Sequence, residues 1–298
     1  MGEAKDVEAH HPGPTPANPK PSLWSQSINP KHADLIALLL CFVTGLCDSS
    51  AYNAWTCFLA MQTGTFPPPL FSPLSSLNHS HSYIQGADSF NQKKKKGNTI
   101  FLGLGASSQP FNKPWGWLKS LISIISFFLG ATTFSTTTRL AGPLRRGTLF
   151  TTFTIQSILI FIAVALIEAD LIPHDTDPNS PEANLTGGPL FLELIPIALL
   201  AFQSAGSIAV TRALGFNEIP SVVLTSVYFD LASDPALVTG VAGNVKRNRR
   251  AGAVVMLVIG AIVGGWLSRS AGGMESALWL SGGIKFLLGF VWFGWWGN

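Results

Sequence analysis

A carboxylate lies deep within the first apolar span of the chain, which runs from Ala33 to Asn53: Asp48. Burying a carboxylate in hydrocarbon is costly unless it is paired, hydrated or protonated, so such an acid is a candidate for binding a cation or carrying a proton. Polar residues follow it at Asn53, Thr63, Asn98 and Thr99, and the second half of the chain adds Gln203, Ser204, Thr225 and Asp230. Drawn together, these amides, hydroxyls and acids would line a polar cavity and ligate a small polar solute. The plainer reading is that they hold helices to one another, as Ser, Thr and Asn commonly do. For Asp48 both readings stand; Asp230 also fits a place at the membrane interface.

Those residues need elements to position them. Hydrophobic residues make up 47% of the chain and charged residues 12%. A water-soluble domain carries about 25% charged residues, so much of this surface must face something other than water. A spanning helix needs about 20 apolar residues. Six segments qualify: Ala33 to Asn53, Leu118 to Thr138, Leu149 to Ala169, Leu190 to Thr211, Ala251 to Leu267 and Ala277 to Trp296. The expected fold class is all-α, a polytopic membrane helix bundle of six transmembrane helices. Two shorter segments, Asn98 to Ala106 and Ile219 to Ala232, read as re-entrant or broken pieces. Gly260 and Gly264 form a small-xxx-small pair suited to close helix packing. Cys41, Cys47 and Cys57 read as buried thiols, with no disulfide framework or zinc spacing.

Charge sets an expected orientation. Lys20, Lys31, Arg139, Arg145, Arg146, Arg212, Lys246, Arg247, Arg249 and Arg250 fall on one side of a six-span layout, and that side should be cytoplasmic, with both termini. Lys113, Lys119 and Arg269 run against the pattern. The loop from Glu168 to Glu193 has no Lys or Arg and contains Asn184 in a weak N-glycosylation sequon. Trp292, Trp295 and Trp296 suit the headgroup layer. Residues 1–32 read as a disordered cytoplasmic tail and residues 33–298 as the transmembrane domain. The spans divide into two halves of three, each with a short segment after its first span, which is the plan of an inverted repeat. Ala37-Leu38-Leu39-Leu40-Cys41-Phe42 is echoed by Ala198-Leu199-Leu200-Ala201-Phe202.

Residues 65–97 interrupt this plan with a Pro-, Ser- and His-containing stretch ending in Lys93-Lys94-Lys95-Lys96. Long structureless loops inside compact units are uncommon. Removing the stretch joins Met61-Gln62-Thr63-Gly64 to Asn98-Thr99-Ile100-Phe101-Leu102-Gly103. The Gly64 codon can hold GT and the Lys96-Gly97 codons AG, so the stretch reads as a retained intron, with a genuine flexible insertion as the alternative.

With the flanks joined, Gly45-Leu46-Cys47-Asp48 and Met61-Gln62-Thr63-Gly64 with Asn98-Thr99 resemble the YoaK-like family of multipass membrane proteins, in a fungal-type member. The resemblance implies a membrane fold of about six helices and supplies no substrate. A looser echo of intramembrane aspartyl proteases lies in Asp48 and Tyr228-Phe229-Asp230, where two carboxylates would share a proton. Cys47 stands where that family has glycine, and the motif order is reversed. No Ser/His/Asp set, Walker loop or His-Glu-x-x-His pattern is present.

The sequence therefore reads as a small-solute transporter in the plasma membrane or an endomembrane, and not as an enzyme. A membrane scaffold or sensor is the alternative and the protease a minor one. Its partners would be the lipid bilayer and a small solute or ion, not nucleic acid. It calls for no cofactor and no metal, and its oligomeric state stays open. The mature transcript, sequenced across the codons from Met61 to Phe101, should lack the interrupting stretch; its retention in the main transcript would overturn the intron reading.

Overall fold

The computed structural model describes residues 22–62, 97–107, 115–172, 188–219, 224–237, 240 and 243–295. Its helices are α1 (Asp34–Trp55), α2 (Asn98–Ala106), α3 (Gly116–Ala141), α4 (Arg146–Glu168), α5 (Gly188–Ala213), α6 (Leu224–Ala232), α7 (Val245–Leu267) and α8 (Gly273–Gly294). Six of them, α1, α3, α4, α5, α7 and α8, are long and apolar enough to cross a membrane. The shortest has 22 residues, or about 33 Å at helical rise, against a hydrocarbon thickness of about 30 Å. Phe128, Leu129, Trp266, Leu287 and Phe290 stand on the outer surface, where lipid is their natural solvent. The chain is an all-α bundle of six membrane-spanning helices.

Small residues set how closely the helices approach. α1 lies along α7, and α3 lies along α5. A methyl group added at Gly45 would collide with the Leu257 carbonyl, and one at Gly260 with the Phe42 carbonyl. Gly264 meets Leu46 and Ser49 in the same way, so the Gly260/Gly264 pair does pack helices. At the other contact, Gly130 of α3 sits on the Phe202 carbonyl of α5. α4 runs beside α8, tied by the Ser157 hydroxyl donating to the Gly282 carbonyl at 2.5 Å. Such backbone proximity substitutes for the hydrophobic force that lipid removes between helices. Pro196 sits inside α5, as neighbouring helices permit in a membrane bundle.

Three sequence expectations need adjustment. α7 begins at Val245, six residues before the expected span, because Asn244 caps it: its side chain accepts the Arg247 N–H at 3.0 Å. The basic run is thus helical, and Arg247 donates to the carbonyls of Ala236, Leu237 and Gly240. Residues 22–32, assigned to the tail, are partly tied to the bundle. Ile28 is fully buried and donates its N–H to the Leu144 carbonyl, and Trp24 meets Phe150 and Phe293 edge-on. Trp292 is no headgroup anchor: it is fully buried against Phe153. Trp295 donates to the Asn29 carbonyl at 2.9 Å; Trp296 lies outside the described residues.

Charged residues tie the same end together. Arg249 bridges Asp34 and Glu218 at 3.1 and 2.8 Å, and Arg146 donates to the carbonyls of Phe293 and Trp295. Elsewhere Lys119 of α3 pairs with Glu193 of α5. Cys41, Cys47 and Cys57 are free and buried, as expected.

Gly260→Val and Gly130→Val should each lower stability by about 1–3 kcal/mol through overpacking. Gly265→Ala, whose added methyl meets nothing within 4 Å, should stay within about 0.5 kcal/mol. Thermal unfolding of the purified protein in detergent checks this. A wild-type melting point for Gly260→Val would mean that the helices do not meet there.

Candidate functional site

α1 ends at Thr56, whose φ of 57° is left-handed. The chain then doubles back beside α1 with no regular structure, yet Cys57 to Met61 are all buried. Without a helix to satisfy them, the backbone groups of this stretch need side-chain partners. Asp48 serves three of the N–H groups. Its Oδ1 accepts the N–H groups of Leu59 and Ala60 at 2.8 and 2.9 Å, and its Oδ2 accepts that of Met61 at 3.1 Å. Asn98, fully buried at the start of α2, accepts the Phe58 N–H and donates to the Phe58 carbonyl at 2.6 Å. Ser123 of α3 donates to the same carbonyl at 2.7 Å. Ser204 of α5 donates to the Leu59 carbonyl, and Thr99 donates to that of Gln62.

The residues singled out around Asp48 are thus largely occupied. Asp48, Asn98, Thr99 and Ser204 meet around one irregular stretch and satisfy its backbone. Asn53 is exposed and lines two cavities. One, of 360 Å³ between α1 and α7, is also lined by Asp48, Tyr52, Trp266 and Arg269. The other, of 670 Å³, carries Glu168, Asp170, Arg269 and Glu275. Thr225 is exposed on α6 and does not join the group. Asp230 is half exposed and faces Arg250 at 3.7 Å, near the start of α7. Asp48's neighbours Leu46 and Ser49 pack at Gly264, about 21 Å further along that helix at helical rise. The two acids therefore do not meet, and a shared-proton dyad has no basis. Thr63 and Asn184 lie outside the described residues.

A second polar cluster is built around a residue not singled out in the sequence. Lys285 lies near the middle of α8 and is 2% exposed. Its Nζ donates to Gln156 Oε1 of α4 at 2.7 Å, Gln203 Oε1 of α5 at 2.6 Å and Ser207 Oγ of α5 at 2.8 Å. Gln203 belongs to the expected set; Gln156, Ser207 and Lys285 do not. Gly206 leaves the space that the Gln156 side chain fills, and Gln156 Nε2 donates back to the Thr152 carbonyl. All three partners of the ammonium group are neutral, and no carboxylate among the described residues pairs with it. Cys47 of α1 lies beside Ser281 of α8 and within electrostatic reach of both Asp48 and Lys285. The two clusters are therefore neighbours. The missed signal was plain: a single lysine in the middle of an apolar run of spanning length.

Asp48→Asn should lower stability by about 1.5–3 kcal/mol, because it removes a charged acceptor and turns an amide N–H₂ toward backbone donors. Thermal unfolding in detergent reads this, and an unchanged melting point would mean that Asp48 does not anchor the stretch.

No curated protein and no solved structure matches the chain. A family model described as "Protein of unknown function (DUF1275)" matches residues 36–67 and 96–291, leaving out most of the stretch that interrupts the sequence motif. Matching well over half of the chain, that model places the protein in the DUF1275, or YoaK-like, family of polytopic membrane proteins.

Proposed function

We propose that the protein is a small-solute transporter whose polar site, at mid-membrane, is the Lys285 cluster. The observation that carries this reading is a buried lysine held by side chains from two other helices, Gln156 on α4 and Gln203 and Ser207 on α5. Ionisable groups inside membrane bundles mark ion and substrate pathways by default. Of the expected site residues, Gln203 contributes to the site, Asn53 lines the cavities near one end, and Asp48, Asn98 and Thr99 form the framework beside it. Thr225 and Asp230 have no place in it.

An inverted repeat, with Leu59–Met61 and α2 as a re-entrant hairpin, fits this reading. Pairings in one half have counterparts in the other. α1 on α7 corresponds to α5 on α3, α4 on α5 to α8 on α1, and α2 on α3 to α6 on α7. Gly260 rests on the Phe42 carbonyl as Gly130 rests on that of Phe202, and Phe42 and Phe202 end the two similar sequence segments. Binding sites at the interface of such halves are common in secondary transporters. The end carrying Arg146 and Arg249 is taken as cytoplasmic on the charge pattern.

We also hold to the intron reading, and with it the fungal-type assignment. The Gln62 carbonyl accepts the Thr99 N–H at 3.0 Å. With residues 65–97 removed, Thr99 would stand four residues after Gln62, and that bond would be an ordinary helical one.

The test is flux. Protein reconstituted in liposomes should carry at least one solute from a panel of small anions, cations and neutral polar molecules. Ser207→Ala should slow that flux several-fold in protein that still folds, at a cost in stability of about 1–3 kcal/mol for the lysine N–H it leaves unsatisfied. A scaffold or sensor would carry none, and no flux for the whole panel would reject transport.

A further inference from the structure

The hydrogen bonds around Lys285 suit its protonated form. The Gln156 and Gln203 oxygens only accept. The Ser207 hydroxyl donates its one hydrogen to Gln156 Oε1 at 3.1 Å, so its oxygen accepts from the lysine. Nζ therefore faces three acceptors at 2.6 to 2.8 Å. An ammonium group, with three N–H groups, serves all three at once. Protonated, the site holds a full positive charge that is 2% exposed and has no carboxylate partner among the described residues. Its neighbouring acid, Asp48, is committed to three backbone N–H groups. A buried charge left without a counter-ion is unfavourable, and neutral dipoles compensate it only in part.

We propose that the missing counter-ion is the solute, and that the protein binds and carries a small anion at Lys285. This rests on the transport reading above and names its substrate class. The three N–H groups of the ammonium are all taken, so the anion enters by displacing one amide oxygen. Rotation of that glutamine frees one lysine N–H and turns the glutamine's own N–H₂ toward the anion. The exchange replaces a neutral acceptor with a charged one, and charge-assisted hydrogen bonds are roughly twice as strong as neutral ones. The tightness of the cluster, with Gly206 filled by Gln156 and Gly282 by Phe161, restricts the anion to a few heavy atoms.

The experiment uses the full chain in liposomes, with flux of chloride, nitrate and formate compared with that of rubidium and glycerol. Saturable flux of at least one anion, exceeding that of rubidium and glycerol, is expected. Lys285→Gln should reduce it by about tenfold or more, the equivalent of one lost charged hydrogen bond. Gln203→Glu guards against a variant that fails to fold. It is nearly isosteric and supplies an internal counter-ion, so it should keep or raise the melting point while abolishing anion flux. Anion flux unchanged in folded Gln203→Glu would overturn the proposal. Flux of rubidium or glycerol without anion flux would overturn the anion assignment and leave transport standing. Absence of flux for every solute would overturn both.

Discussion

Three backbone N–H groups, at Leu59, Ala60 and Met61, converge on the carboxylate of Asp48. In water this arrangement would be a modest convenience. Inside a bundle of apolar helices it is a requirement, because an irregular backbone stretch has no solvent to bond with. Much else follows from it. The chain doubles back beside α1, so α2 begins deep in the protein with Asn98, and α3 and α5 must bring Ser123 and Ser204 to the same stretch. The polar residues that make the sequence look like a binding site are largely consumed in making the backbone tolerable.

The same principle, applied to charge, separates the two clusters. Asp48 is an anion surrounded by fixed donors, and its hydrogen bonds leave little for a ligand to add. Lys285 is a base whose protonated form is surrounded by neutral acceptors on side chains that can rotate. Its hydrogen bonds are met while its charge is not. That asymmetry is why the proposed anion site rests on the lysine and not on the carboxylate, although a buried acid and a buried base look equally functional in a sequence.

Glycine determines where these groups lie. Gly45, Gly260 and Gly264 press α1 against α7, and Gly130 does the same for α3 and α5. Gly206 opens the space that lets Gln156 reach across to Lys285. Larger residues there would separate the helices by more than a hydrogen bond can span. The polar chemistry of the bundle therefore depends on its smallest side chains.

The sequence by itself determined the membrane class, the six spans, the packing role of Gly260 and Gly264, and the break in the motif around residues 65–97. These follow from local composition and length, because hydrocarbon thickness and helical rise are constants. Asp48 and Asn98 were legible as unusual residues, but their task was not, since it depends on where Leu59 to Met61 return. Trp292 looked like an interface anchor until the packing buried it, and Trp24, Ile28 and Asn29 were tied to the bundle by partners far along the chain, among them Phe150, Leu144 and Trp295. Lys285 was visible as a letter but not as a site. Its meaning comes from Gln156 and Gln203, 129 and 82 residues away in the chain. Only the tertiary structure brings such groups within hydrogen-bonding distance, because helix packing, and not sequence spacing, decides which buried side chains meet.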